Sequence, residues 1–370
     1  MAKLKNISKI NSWYSNIKEP LIIAGPCSAE TEDQMMQTAK KIAALGKVSV
    51  FRSGIWKPRT RPGNFEGVGE EGFKWLSQVK KETGLLTAIE VANPEHAELA
   101  IKNNVDILWI GARTTSNPFS IQELADYLKG YDKPVMVKNP INPDVQLWVG
   151  ALERFHKAGI NKLAAIHRGF FPFEATTLRN IPKWETAIEL KSICHDLPII
   201  CDPSHIAGNT EYIAEISQKA LDLNLDGLII ETHYNPCVAL SDMNQQLTPK
   251  QLEVVLENLI YRRSFSKDVN FVNNLETLRN QIDSIDQQMI ELLSQRMNVV
   301  GEIGEYKSKN EVTILQLRRW EKIMSTRMKL GRKLGLSDDF IKKLLQLVHR
   351  ESIQRQTEVM NKLSSLKKEK

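Results

Sequence analysis

Between residues 21 and 233, short apolar runs rich in β-branched residues alternate with stretches of helical periodicity. Eight runs predict strands: LIIAGPC (21–27), VSVFR (48–52), LTAIEV (86–91), ILWIGA (107–112), VMVKN (135–139), KLAAIHR (162–168), PIICDPS (198–204) and GLIIETH (227–233). Each is separated from the next by enough chain for a helix or a long loop. Eight βα units in about 250 residues predict a closed barrel rather than an open doubly wound sheet, and no Gly-x-Gly-x-x-Gly follows the first strand. The pattern then changes. From Leu275 to about Lys307, apolar residues recur at Leu275, Leu278, Ile282, Ile285, Met289, Leu292, Val299 and Ile303, a helical stripe without proline. At about 1.5 Å per residue such a helix is about 50 Å long, too long for a small helical domain to cover by itself, so it predicts a partner chain. Further helices are expected around 315–334, ended by Gly335, and around 337–363, with Ser337 and Asp338 at the N-cap. The expected architecture is an α/β (β/α)8 TIM barrel over residues 1–262, a polar linker over 263–273, and an all-α helical domain over 274–370 that dimerises.

Composition adds little to this, but charge does. The 370 residues are 42% hydrophobic and 25% charged, as in an ordinary globular protein. The formal net charge of +6 resides entirely in residues 270–370, which hold 19 Lys and Arg against 13 Asp and Glu. A solvated helical face explains such an excess most simply. Nucleic-acid binding explains it poorly, because acids interrupt the bases and no aromatic stacking pattern accompanies them. A small anionic ligand held within a helical bundle is the third reading. No apolar run approaches the roughly 20 residues that span a bilayer, and the amino terminus lacks the apolar core of a signal peptide, so a cytoplasmic enzyme without a membrane partner is expected. The cysteines Cys27, Cys194, Cys201 and Cys237 are too widely spread for a disulfide framework, which leaves them as free thiols or ligands.

The polar residues at the carboxyl ends of the predicted strands give the barrel a chemistry. They are Cys27, Arg52, Glu90, Arg113, Lys138, Arg168, His205 and Glu231, one per strand, on the face where barrels carry their active sites. Cations converging with a thiol, an imidazole and carboxylates suit a phosphorylated, anionic substrate and a metal ion. Spacing alone does not select the metal ligands, since Glu231 and His233 share a strand face and Asp202 lies as close to His205 as any other carboxylate.

The segments GPCSAE, FRSGIWKPRT, IGAR, VKNP, IHRG, DPSH and IIETHYNPCVALSD together resemble the 3-deoxy-D-arabino-heptulosonate 7-phosphate (DAHP) synthases, in the branch that includes the 3-deoxyoctulosonate-phosphate synthases. The likeness covers about residues 15–260. It implies a barrel that condenses phosphoenolpyruvate with an aldose phosphate, and a metal held by Cys27, His205, Glu231 and Asp242. That donor set suits Mn²⁺, Fe²⁺, Co²⁺ or Zn²⁺ better than Mg²⁺ or Ca²⁺. The resemblance further implies that Arg52, Lys57, Arg113, Lys138 and Arg168 hold phosphoenolpyruvate with support from Glu90, that Arg59 and Thr60 of KPRT meet the aldose phosphate, and that Lys57 and His205 are candidate proton carriers. KPRT favours erythrose 4-phosphate over arabinose 5-phosphate.

In the last hundred residues, LRNQIDSIDQQMIELLSQRMNVVGEIGEYK and HRESIQRQ resemble the all-helical chorismate mutases over about residues 272–362. The likeness implies that Arg279, Arg296, Lys307, Arg319, Ser352 and Gln356 contact chorismate or prephenate, with Arg296, Lys307 and Gln356 catalytic and Arg279 entering the partner subunit's pocket. Helix geometry independently puts Arg296 and Lys307 on one face, and Ser352 and Gln356 on another. One departure stands out. Gln316 and Trp320 occupy the positions where the pattern has an acidic pair that meets the substrate hydroxyl. Three arrangements therefore remain: two active domains, a synthase with a helical domain that binds pathway products such as prephenate as feedback ligands, or a synthase with a purely dimerising appendage.

Overall fold

The computed structural model describes residues 4–57, 63–173, 176–263 and 265–368 and divides into two compact units, Met1–Ser264 and Phe265–Lys370. In the first unit the strands are β1 (Leu21–Gly25), β2 (Val50–Arg52), β3 (Leu86–Val91), β4 (Ile107–Ile110), β5 (Val135–Lys138), β6 (Leu163–His167), β7 (Ile199–Cys201) and β8 (Gly227–Glu231). They pair in parallel, each with the next in sequence, and β8 pairs with β1 to close the barrel. Every strand residue except Glu90 is buried. Strands covered on both faces need apolar side chains at successive positions rather than alternating ones, which is why they read as continuous hydrophobic runs.

The two faces feed two cores. Side chains including Leu21, Ile23, Val50, Trp109, Met136, Ile166, Ile200 and Ile229 fill the barrel interior, joined by Ile10 and Trp13 from the segment that precedes β1. The opposite faces of the strands, with Ile22, Phe51, Ile89, Leu108 and Val137, pack against the surrounding helices. At the end of β1, Gly25 has φ +152°, and a Cβ there would lie 2.0 Å from the Arg52 carbonyl oxygen. Glycine thus lets the chain turn toward Cys27 while β2 passes close alongside.

The second unit consists of helices Val269–Lys309, Leu317–Lys333 and Asp338–Lys368. The first starts inside the segment expected to be linker. Asp268 accepts hydrogen bonds from the amides of Asn270 and Phe271, and this cap draws residues 269–273 into the helix. Gly335, at φ +78°, follows the second helix, and Ser337 Oγ accepts from the Phe340 amide at the start of the third. The apolar stripe on the long helix is open within a single chain, since Leu278, Ile282, Ile285, Met289 and Leu292 are 52% to 63% exposed. Among the described residues, no helix is long and apolar enough to cross a membrane.

Candidate active sites of the two units

Cys27 lies two residues beyond β1 and is fully buried. Its amide donates to Gln246 Oε1 at 2.9 Å, and its Sγ stands 2.9 Å from Lys57 Nζ and 3.2 Å from Asp242 Oδ2. Donor atoms of Cys27, Glu231 and Asp242 all lie within 4.8 Å of one another. Glu231, the last residue of β8, accepts Arg52 Nη1 on Oε1 at 2.7 Å. His205 sits on a short helix, Pro203–Ala207, with Nδ1 2.9 Å from Asp202 and Nε2 3.9 Å from Glu231 Oε1. Of the alternatives that spacing left open, Asp202 is therefore the carboxylate that orients His205, and it also pairs with Lys138 at 2.9 Å. His233 is buried apart from this cluster, its Nε2 3.8 Å from Glu30.

A cavity of about 730 Å³ opens beside the cluster, lined by Lys57, Glu90, Arg113, Lys138, Arg168, His205 and Asp242 among others. Glu90 accepts from the Trp109 indole at 2.9 Å, and a Cβ on Gly111 would lie 2.2 Å from its Oε1, so the absence of a side chain at 111 admits the carboxylate. Arg113 belongs to the short helix Ala112–Thr115 that follows β4, not to the strand itself. Arg52 does not line the cavity. It is buried between Glu231 and the Trp109 ring, 4.9 Å from the ring centre. Arg59 and Thr60 lie outside the described residues.

Burial dominates the electrostatics of this site. It pushes the Cys27 thiol up to about 12, with the charge of Glu231 adding to the rise, and it brings the Arg168 guanidinium down to about 10. Burial also favours the neutral form of Asp242, but Arg179, Lys57 and His205 outweigh it and hold that carboxyl well below its ordinary 3.8. The result is a carboxylate and a buried thiol beside a predominantly cationic cavity.

In the helical unit, Arg296 Nη1 donates to Ser352 Oγ at 2.6 Å across the first and third helices. Gln356, one turn beyond Ser352, donates Nε2 to the Ser352 carbonyl at 3.2 Å and keeps a buried Oε1 without a hydrogen-bond partner. Lys307 directs its ammonium to the Ile314 carbonyl. Arg279 is exposed and paired with Glu276 at 2.6 Å, and Arg319 is exposed, so neither joins the group within one chain. Trp320 stacks on His349 with ring centres 4.0 Å apart. Burial lowers the His349 pKa and the charge of Arg296 lowers it further.

Residues 15–263, two thirds of the chain, match the DAHP synthetase I family. The chain belongs to that family. Residues 278–357 match chorismate mutase type II, so this family member carries a mutase-type domain behind its barrel. It is 35% identical over 230 residues to the phospho-2-dehydro-3-deoxyheptonate aldolase of Thermotoga maritima, covering 61% of this chain and 64% of that relative. The chain thus spans somewhat less than two thirds of that relative's length. A 2-dehydro-3-deoxyphosphooctonate aldolase from Synechococcus sp. is 27% identical over 271 residues, covering 65% and 87% respectively. The crystal structure of the Thermotoga maritima DAHP synthase superposes with a TM-score of 0.59 at 30% identity, covering 64% of this chain and 67% of that one. A truncated form of the same enzyme gives a TM-score of 0.56 at 28% identity, covering 64% and 84%.

Several residues around the Cys27 cluster were not assigned a role from the sequence. Asp202 stood in the sequence only as an alternative ligand; its capping role was readable there, because DPSH places an N-capping Asp three residues before His205, and its side chain does accept from the His205 amide. Arg179, Gln245 and Gln246 gave no signal. They lie outside the strands and long helices, and only the folded barrel brings Gln246 to Cys27 and Arg179 to Asp242. His349 was equally silent, since its meeting with Trp320 depends on how the second and third helices pack.

Proposed function

We propose that the barrel condenses phosphoenolpyruvate with erythrose 4-phosphate to give DAHP and inorganic phosphate, and that the helical domain rearranges chorismate to prephenate. The observation that carries the first activity is the convergence of Lys57, Arg113, Lys138 and Arg168 on one cavity that also reaches His205 and Asp242. Phosphoenolpyruvate carries a phosphate and a carboxylate, and guanidinium forks bind such groups bidentately where an ammonium supplies a point charge. In this reading Arg113, Lys138 and Arg168 hold it directly. Arg52 acts from beneath by fixing Glu231, and Glu90 supports the cations. Lys57 and His205 face the cavity and carry protons as C3 bonds to the aldehyde carbon, water adds at C2 and phosphate leaves.

The thiol, imidazole and two carboxylates fit a divalent ion of the Mn²⁺, Fe²⁺, Co²⁺ or Zn²⁺ kind, because three of the four already bring donor atoms within 4.8 Å of one another. Cys27, His205, Glu231 and Asp242 would hold it. When bound, it supplies Lewis acidity toward the aldehyde oxygen or a water. In the helical domain no acid or base is required: Arg296 with Ser352 fixes substrate carboxylates, while the Lys307 ammonium and the Nε2 amide hydrogens of Gln356 donate to the ether oxygen as negative charge develops there. The exposed stripe from Leu278 to Leu292 supports a homodimer, in which Arg279 of one chain serves the pocket of the other. Prephenate held by the helical domain acts as the feedback ligand of the barrel. Small phosphorylated substrates fit a cytoplasmic setting.

Assays of both reactions on the intact chain test this assignment. Chelation should abolish DAHP formation and leave prephenate formation intact, and erythrose 4-phosphate should outcompete arabinose 5-phosphate. Preference for arabinose 5-phosphate would reassign the barrel to octulosonate-phosphate synthesis, and no prephenate formation would reduce the helical domain to binding or dimerisation. Sedimentation of the full chain should give a dimer, which a charge at exposed Met289 (Met289→Glu) should dissociate.

A further inference from the structure

The segment 241–246, in the loop after β8, carries Asp242 and bonds to two further candidate ligands, Cys27 and Glu231. Gln245 is 1% exposed and has both ends of its amide engaged. Its Nε2 donates to Glu231 Oε2 at 2.6 Å, and its Oε1 accepts from Arg179 Nη1 at 2.5 Å. The same Arg179 nitrogen donates to Asp242 Oδ1 at 3.1 Å. One guanidinium and one amide therefore tie together the carboxylates of Glu231 and Asp242.

The physical consequence lies in which oxygens remain available. Arg52 occupies Oε1 of Glu231 at 2.7 Å, and a buried guanidinium beside a carboxylate tends toward a two-pronged pairing that would take both oxygens. Gln245 holds Oε2 in place of that second prong, so each Glu231 oxygen accepts one hydrogen bond and keeps a lone pair for another partner. Arg179 draws Oδ1 of Asp242 outward, which leaves Oδ2 turned to Cys27 Sγ at 3.2 Å. The orientation of the amide follows from its neighbours, because only a carbonyl toward Arg179 and an NH2 toward Glu231 satisfies both.

Resting on the metal reading above, we propose that Gln245 and, through it, Arg179 are positioning residues that set the two carboxylates in metal-binding register. They are not ligands themselves: the Gln245 carbonyl is taken by Arg179, and a guanidinium has no free lone pair to give. The buried amide should matter more than the arginine, whose side chain is 42% exposed and shares its work with water.

The test is Co²⁺ binding to the metal-free full chain, followed by the thiolate-to-cobalt absorption band and by competition with a chromophoric chelator. Gln245→Met should weaken Co²⁺ binding by about 10- to 100-fold and shift the ligand-field bands at saturation while the thiolate band persists. Arg179→Met, at an exposed position that tolerates change, should weaken it by about several-fold and in the same spectral direction. Affinity within about twofold of wild type and an unchanged spectrum in both variants would overturn the proposal, even if Gln245→Met lowers the melting temperature. A wild-type chain that gives no thiolate band would overturn the metal reading itself, which the first result leaves standing.

Discussion

Arg52→Met should lower the stability of the barrel by about 3 to 5 kcal/mol and abolish DAHP formation. The side chains of Arg52 and Glu231 are 3% and 1% exposed and 2.7 Å apart. Methionine fills much of the same space but strips the buried Glu231 carboxylate of its 2.7 Å guanidinium partner, leaving only His205 at 3.9 Å from Oε1, and the loss of one partner is what makes broken buried pairs costly. Arg52 also donates to the Cys27 carbonyl at 3.2 Å, so the loop bearing the thiol loosens in the same variant. Removing both charges should cost less than removing one. The Arg52→Met, Glu231→Gln pair should recover a large part of the deficit in stability, though not activity, and this recovery separates electrostatic from packing loss. Denaturation of the full chain measures it. A deficit below about 1 kcal/mol would mean that water reaches Glu231 and that the pair behaves like an exposed one.

The barrel was legible because its strands are sealed on both faces. β1, β4 and the first four residues of β6 read as uninterrupted apolar runs for the same reason that they are fully buried. Residues at or just past their ends were legible too, since a reactive side chain that follows an apolar run has only the open face to occupy. What the pattern hid depends on closure and on loops. Arg52 carries the charge expected of a phosphate ligand, yet the inward-facing Trp109 and the arrival of Glu231 beside Gly25 in the β1–β8 register keep it beneath the cavity. Gln245 and Arg179 are ordinary polar loop residues in the sequence. Their meaning comes from contacts that span 14 and 63 residues of chain, respectively, to Glu231 and Asp242. In the helical unit, periodicity found the long helix but misplaced its start, because Asp268 caps a first turn, Val269 to Val272, that the polar residues around it present as linker.

Arg296→Met should reduce prephenate formation by about 10²- to 10³-fold, the usual effect of removing one fixed charge-stabilising donor from an active site. Arg296 reaches from the long helix to Ser352 on the last helix, so its guanidinium is held in place before any ligand arrives. That preorganisation matters for a pericyclic reaction, in which the protein contributes little beyond holding two carboxylates in the reactive conformer. Arg296→Lys should recover only a small part, because an ammonium keeps the charge but cannot hold Ser352 and a carboxylate in one plane. The variant also decides whether the two activities are coupled. If the helical domain holds prephenate as proposed, occupancy of its site can report the level of that product to the barrel. Prephenate should therefore inhibit DAHP formation in the wild-type chain and lose most of that effect in Arg296→Met, whose DAHP synthesis without prephenate should be unchanged. Coupling of about 1 to 3 kcal/mol would change the barrel's substrate affinity about 5- to 150-fold, and reciprocity requires phosphoenolpyruvate to weaken prephenate binding by the same factor. Equal inhibition of both proteins would place any regulation elsewhere, and undiminished prephenate formation in Arg296→Met would remove the arginine from the mutase site.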